Sequence, residues 1–187
     1  PVRNVEFESV SPEPLDVDCL SPREARLSLA RIVMTQNPLL AGRFLEDVLE
    51  DSPDDVPTLV SYSQALRGLR GKAYTIAERA LGLDPSDVGA NVRMAELIVS
   101  RCMEDIAALC RRNWDEAAAL YRTALELDPE RVDAAFGLGV VYVHTGKPGD
   151  AINYLRVAHR LAPWAPRINY YLGEAYRLTG NEALAKL

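Results

Sequence analysis

The sequence predicts an all-α fold, a solenoid of antiparallel helix hairpins, on three observations. The first is the stretch 132–165, VDAAFGLGVVYVHTGKPGDAINYLRVAHRLAPWA, which reads as one hairpin. Phe136, Leu138, Val140, Val141 and Tyr142 lie in a helical setting, and glycines 137 and 139 let a neighbouring backbone come close. Gly146 and Pro148 break the chain where a second helix begins. In that helix Ala151, Leu155 and Ala158 fall at i, i+4 and i+7, one helical face, and Pro163 ends it. The second observation is recurrence: the same four points appear as Ala41, Leu45, Val48, Pro53, as Ala73, Ala77, Ala80, Pro85, and as Ala117, Tyr121, Ala124, Pro129. The third is the period. The four prolines are 32, 44 and 34 residues apart, the range of a repeat array with two short helices per unit.

Residues 1–20, PVRNVEFESVSPEPLDVDCL, carry three prolines and five acids without helical period and read as an extended linker or tail, with a short strand at Val2 to Phe7 as an alternative. The array occupies 21–187 as hairpins at about 22–53, 54–87, 88–131, 132–165 and a partial fifth at 166–187. Ser21, Pro22 and Glu24 make a helix start with a serine cap, a first-turn proline and an acid three residues on. The first hairpin turns at Asn37-Pro38 and ends in an acidic run from Glu46 to Asp55, a solvated face rather than a site. The second turns near Gly68 to Gly71, where Arg67, Arg70 and Lys72 form a small basic cluster.

The third hairpin is about ten residues longer than the next. MAELIVSRCMEDIAALCRR has no Gly or Pro and keeps apolar residues at Leu97, Ile98, Cys102, Ile106, Leu109 and Cys110, so the spacing predicts a continuous long first helix, with Asn113 and Glu116 as a capping box for the second. The extension is either a neutral elaboration or a lip that contacts a partner. The fourth hairpin is the opening stretch. The fifth has Tyr170, Tyr171, Leu172, Gly173 and Tyr176 before a turn at Gly180-Asn181, and Ala185 lies 34 residues after Ala151. No polar capping helix follows, so the native protein is expected to continue past Leu187.

At 187 residues with 48 % apolar and 26 % charged residues the composition is that of an ordinary soluble chain, and no apolar run predicts membrane insertion. A net charge of −6 argues against nucleic acid as the main partner. Cys19, Cys102 and Cys110 form no CxxC pair. On one helix Cys102 and Cys110 are separated by about 12 Å of rise, which excludes a disulfide between them and favours buried thiols. With His144 and His159 the only histidines, no zinc set assembles, and no cofactor is expected. No GxxxxGK[ST], GxGxxG, HExxH or GxSxG occurs, so the chain is not expected to be an enzyme.

With the small residue and aromatic of the first helix (Gly139 and Tyr142, Gly173 and Tyr176) and the LDP endings at 83–85 and 127–129, the pattern resembles the tetratricopeptide repeat over about residues 22–187. It is looser in 22–87, where Leu29, Ile32, Ser61 and Gln64 stand at the small and aromatic positions. The resemblance implies a right-handed superhelix whose concave wall, made by the first helices, holds a peptide or a partner's helix. Carried over from the family, the groove positions are Asp133, Phe136, Val140, Val143 and His144 in the fourth unit, and Arg167, Tyr170, Glu174, Arg177 and Leu178 in the fifth. Val140 stands where the family's carboxylate clamp has asparagine, which speaks against a receptor for chaperone tails. The expected function is a protein-interaction module or scaffold with a protein or peptide partner. The alternatives are a structural spacer, an oligomerisation arm acting through the open C-terminal end or the long helix, and a regulatory segment of a larger enzyme or membrane-anchored protein.

Overall fold

Local chemistry fixes where several helices start in the computed structural model, which describes residues 21–103, 110–181 and 183–186. Helix α1 (Pro22–Val33) opens on the expected capping box: the Glu24 N–H donates to Ser21 Oγ at 3.2 Å and the Ser21 N–H donates to Glu24 Oε2 at 2.8 Å. Asn37 caps α2 (Pro38–Asp51), Asp55 caps α3 (Val56–Ala65), and Asp87 caps α5 (Val88–Cys102), each accepting a first-turn N–H. Caps of this kind are worth about 1 kcal/mol each. Between α3 and α4 (Arg70–Leu83) the chain reverses through Gly68 at φ +87°, a conformation that costs glycine little. The remaining helices are α6 (Cys110–Leu127), α7 (Val132–His144), α8 (Pro148–Leu161) and α9 (Pro166–Leu178), followed by a 3₁₀ turn at Leu184–Lys186.

The helices pair as antiparallel hairpins α1/α2, α3/α4, α5/α6 and α7/α8, and each hairpin stacks on the next. Among the first helices, α3 touches α5, α5 touches α7 and α7 touches α9, so they form a continuous inner wall with the second helices behind it. Every one of the twelve helical pattern positions, from Ala41, Leu45 and Val48 to Ala151, Leu155 and Ala158, retains 2 % exposure or less. The repeating face is therefore the core. Among the described residues no helix is long and apolar enough to cross a membrane.

Two expectations for the third hairpin need correction. The first helix is not continuous to residue 112: α5 ends at Cys102, where the Met103 N–H reaches back to the Val99 carbonyl at 3.0 Å and closes the last turn. At 15 residues it exceeds α7 and α9 by two. The extra length goes partly to α6, which has 18 residues and begins at Cys110, upstream of the expected cap. Asn113 and Glu116 thus lie inside a helix and do not form a cap, because the CRRNW run has no Gly or Pro to stop helix propagating towards the N-terminus. Ile106 and Leu109 fall outside the described residues, as does the linker or strand expected at 1–20. Cys102 itself is buried.

Glycines 137 and 139 mark the closest approaches of α7. A Cβ at Gly137 would collide with the phenol ring of Tyr121 on α6, and one at Gly139 would lie 2.5 Å from the Cγ of Leu155 on α8. Gly137→Ala is expected to destabilise the fold by about 1–3 kcal/mol through overpacking, lowering the melting temperature by about 2–4 °C per kcal/mol. Gly82→Ala in α4, where an added methyl meets nothing within 4 Å, is the contrasting case; it is expected to gain up to about 1 kcal/mol of helix propensity. Circular-dichroism melts of the two variants check this, and an unchanged melt for Gly137→Ala would contradict the packing of Tyr121.

Candidate functional site

A concave hollow of about 580 Å³ opens on the inner wall where α5, α7 and α9 lie side by side. From α5 come Arg93, Glu96, Val99 and Ser100, with Met103 just beyond; from α7 come Asp133, Phe136, Gly137 and Val140; from α9 come Arg167 and Tyr171. The outer helix α6 contributes a single side chain, Tyr121, which reaches the hollow from the layer behind. It passes α7 only because residue 137 has no Cβ.

Charges in the hollow are largely engaged. Arg93 donates from Nε to Ser63 Oγ at 3.0 Å and from Nη2 to the Ser63 carbonyl at 2.8 Å, while Nη1 reaches Glu96 Oε2 at 3.2 Å. Ser63, fully buried, passes its own proton to the Ala73 carbonyl at 2.8 Å, so one chain of hydrogen bonds ties α5, α3 and α4. Arg131 Nε donates to Asp133 Oδ1 at 2.7 Å. Arg167 lies over the Phe136 ring, 5.3 Å from its centroid, and makes no ion pair among the described residues. Burial pushes the Glu96 carboxyl above the usual carboxylate range, with Arg93 pulling the other way. Burial likewise pushes the Tyr121 phenol far up, so it is a neutral hydroxyl at physiological pH.

The residues expected to line the groove do not all come together. Asp133, Phe136, Val140 and Arg167 meet in this hollow. Tyr170, Glu174 and Arg177 line a different one, with Gly173 and Ala185, where Arg177 is paired to Glu174 at 2.6 Å. Val143 packs into the apolar cluster of Ala151, Leu155, Leu172 and Ala175, so it serves the core. His144 stacks on Trp114, ring centroids 5.4 Å apart and 11° from parallel, and meets the Tyr171 edge at 6.2 Å. Leu178 is exposed on α9. Arg93, Glu96, Tyr121 and Tyr171 were not among the expected set. Glycine 137 beside the aromatic at 121 was the available signal for Tyr121; nothing in the sequence marks Arg93 and Glu96 apart from other helical charges.

No group of three or more His, Cys, Asp or Glu placed to hold a metal ion occurs among the described residues. The fold and its hollowed inner wall define a helical-repeat scaffold. The sequence model of the tetratricopeptide repeat family matches residues 106–166, about a third of the chain, and the helix hairpins on either side of that stretch continue the same repeat architecture. No curated protein sequence matches it. Among solved structures it is similar to TTC0263, a tetratricopeptide-repeat protein of Thermus thermophilus, at 21 % identity and TM-score 0.73, covering 87 % of this chain and 86 % of that one. It is also similar to MamA of Desulfovibrio magneticus RS-1, at 17 % identity and TM-score 0.66, covering 89 % and 90 %. A further MamA structure gives 20 % identity, TM-score 0.63 and coverage of 88 % and 86 %. Such identities establish the shared fold. Repeats of this family act as protein-interaction scaffolds.

Stacked on Trp114 and meeting the Tyr171 ring edge-on, the His144 imidazole is held below its ordinary value by burial, which disfavours the charged ring. The neutral form is thus the one the fold favours: its stability contribution is complete above the ordinary value of about 6.5 and is lost as pH falls through the folded one. An NMR titration is expected to place the His144 midpoint below about 6.5, and Trp114→Ala to move it upward by re-exposing the ring. A midpoint at or above the ordinary value would contradict the stacked geometry.

Proposed function

We propose that this chain binds a segment of a partner protein in the concave hollow between α5, α7 and α9. The observation that carries the reading is the convergence there of aromatic, apolar and charged side chains from three consecutive inner helices, in a space large enough for several side chains of a partner. Phe136 and Tyr171 meet edge to face at 5.6 Å and supply a fixed aromatic floor. Aromatic and arginine residues in such settings provide most interface hot spots. A short amphipathic segment, helical or extended, suits a groove with both ring faces and paired charges.

The smaller hollow of about 450 Å³ near α1 and α3 is a lesser candidate, since no aromatic side chain lines it. A second reading is self-association through α9, favoured by the exposure of Tyr170 at 67 % and Leu178 at 45 %. Light scattering over a range of concentrations separates the two, because an association arm dimerises without a partner.

For a partner recovered by affinity capture with the full chain, Phe136→Ala and Tyr171→Ala are each expected to weaken binding by roughly 2 kcal/mol, read by calorimetric titration. Arg156→Ala, at an exposed position of α8, is expected to leave it unchanged. Equal affinity for all three variants, with melts intact, would move the site to the α9 hollow of Tyr170, Glu174 and Arg177.

A further inference from the structure

The Tyr121 side chain divides between the core and the hollow. It retains 2 % exposure, yet its hydroxyl makes no hydrogen bond to any described residue. The hydroxyl is not sealed in the core, since no buried side-chain nitrogen or oxygen among the described residues lacks a partner; it lies beside Gly137 on the wall of the hollow, where it faces whatever enters.

Two carboxylates share that wall. Glu96 offers Oε2 to Arg93, and no described residue donates to its Oε1. Asp133 takes Arg131 and the Ala134 N–H on Oδ1, and no described residue donates to its Oδ2. Both carboxylates lie close enough to Tyr121 to add to the upward displacement of its phenol, and Asp133 adds to that of Glu96. The unused capacity around Tyr121 is therefore oxygen: two carboxylate oxygens and a phenol that can accept as well as donate. Arg93, the nearby cation, is held towards α3 by its two bonds to Ser63. Arg167 lies over the Phe136 ring and is not among the charges that act on Glu96 or Tyr121.

We propose that the floor of the hollow receives one basic side chain, lysine or arginine, of the partner segment, bound by the Glu96 and Asp133 carboxylates and the Tyr121 hydroxyl, with flanking apolar residues of the segment against Val99, Val140 and Tyr171. An ammonium or guanidinium supplies donors to these open oxygens, in charge-assisted hydrogen bonds. An acidic side chain would meet two carboxylates at close range. The proposal rests on the groove reading above and specifies the chemistry of its occupant.

The test uses the full chain and a randomised dodecamer peptide library displayed on phage. Peptides are selected on the wild-type protein, and the tightest is resynthesised with a fluorescein label, once as selected and once with its basic residue replaced by norleucine. Affinities are read by fluorescence anisotropy against wild type, Glu96→Gln, Tyr121→Phe and Phe136→Ala; the first two substitutions keep side-chain volume, and melts report folding. The selected pool is expected to be enriched in lysine or arginine beside apolar residues. Glu96→Gln is expected to weaken the selected peptide by about tenfold and Tyr121→Phe by about threefold, and neither to weaken the norleucine peptide further. A pool enriched in acids or lacking basic residues, or a Phe136-dependent peptide indifferent to Glu96→Gln, would overturn the basic-side-chain inference and leave the groove reading standing. Peptides whose binding ignores Phe136→Ala, or a library that yields none, would overturn both.

Discussion

The distance between the two helices of each hairpin is the constraint on which everything else in this solenoid depends. It is set by residues with almost no side chain. Ala41, Ala77, Ala80, Ala117, Ala124, Ala151 and Ala158 are all at 0 % exposure. Each alanine contributes little apolar area of its own, so its value lies in the large neighbours it admits: Leu45, Leu138, Leu155 and Tyr121, where full burial of a side chain is worth about 1.5–3 kcal/mol. Gly137 and Gly139 carry the logic one atom further, giving up even the methyl so that Tyr121 and Leu155 can close on α7. Because the apolar face of one unit is covered only by its neighbours, an error in this distance is passed along the array.

Polar contacts then fix the register that small residues alone would leave loose. Asn91 in α5 donates to the Pro85 carbonyl at 2.8 Å, and Asn169, at the same point of α9, donates to the Pro163 carbonyl at 3.0 Å. Each ties the start of a first helix to the loop before it. The Ser63 and Arg93 bonds do the same between hairpins, and their burial makes them costlier to break than the surface ion pairs. Glu46, Tyr62 and Lys72 also join three helices, but Glu46 and Lys72 are half exposed, so solvent screens most of what that pair contributes.

The architecture was legible in the sequence because a repeat writes its core several times. The Ala, +4, +7 and Pro pattern needs only intrahelical spacing, and one strong copy at 132–165 identifies the weaker ones. The third hairpin was misread where that redundancy fails: apolar spacing across 97–110 suits a helix, but spacing cannot say where one helix ends and the next begins when no Gly or Pro intervenes. The hollow was half legible. Phe136, Val140, Asp133 and Arg167 belong to the inner wall by their place in the repeat. Arg93 and Glu96 come from the preceding unit, whose first helix carried no such assignment, and Tyr121 comes from an outer helix whose pattern position reads as core. It is core over its ring and groove at its hydroxyl, a division that periodicity does not resolve.

The same geometry favours the proposed binding between α5, α7 and α9 over the outer end of α9. In the hollow, Phe136 and Tyr171 are packed on each other, Arg93 is fixed by Ser63, and Asp133 is fixed by Arg131. An incoming segment meets side chains already in place and loses little of its interaction free energy to ordering them. Around Tyr170, Glu174 and Arg177 the surface is more exposed, and Arg177 holds its one carboxylate partner with 62 % of its own side chain in solvent. A partner there must immobilise long side chains and displace an existing pair before gaining anything. Preorganisation, not area, therefore separates the two hollows, and it originates in the helix contacts that build the fold.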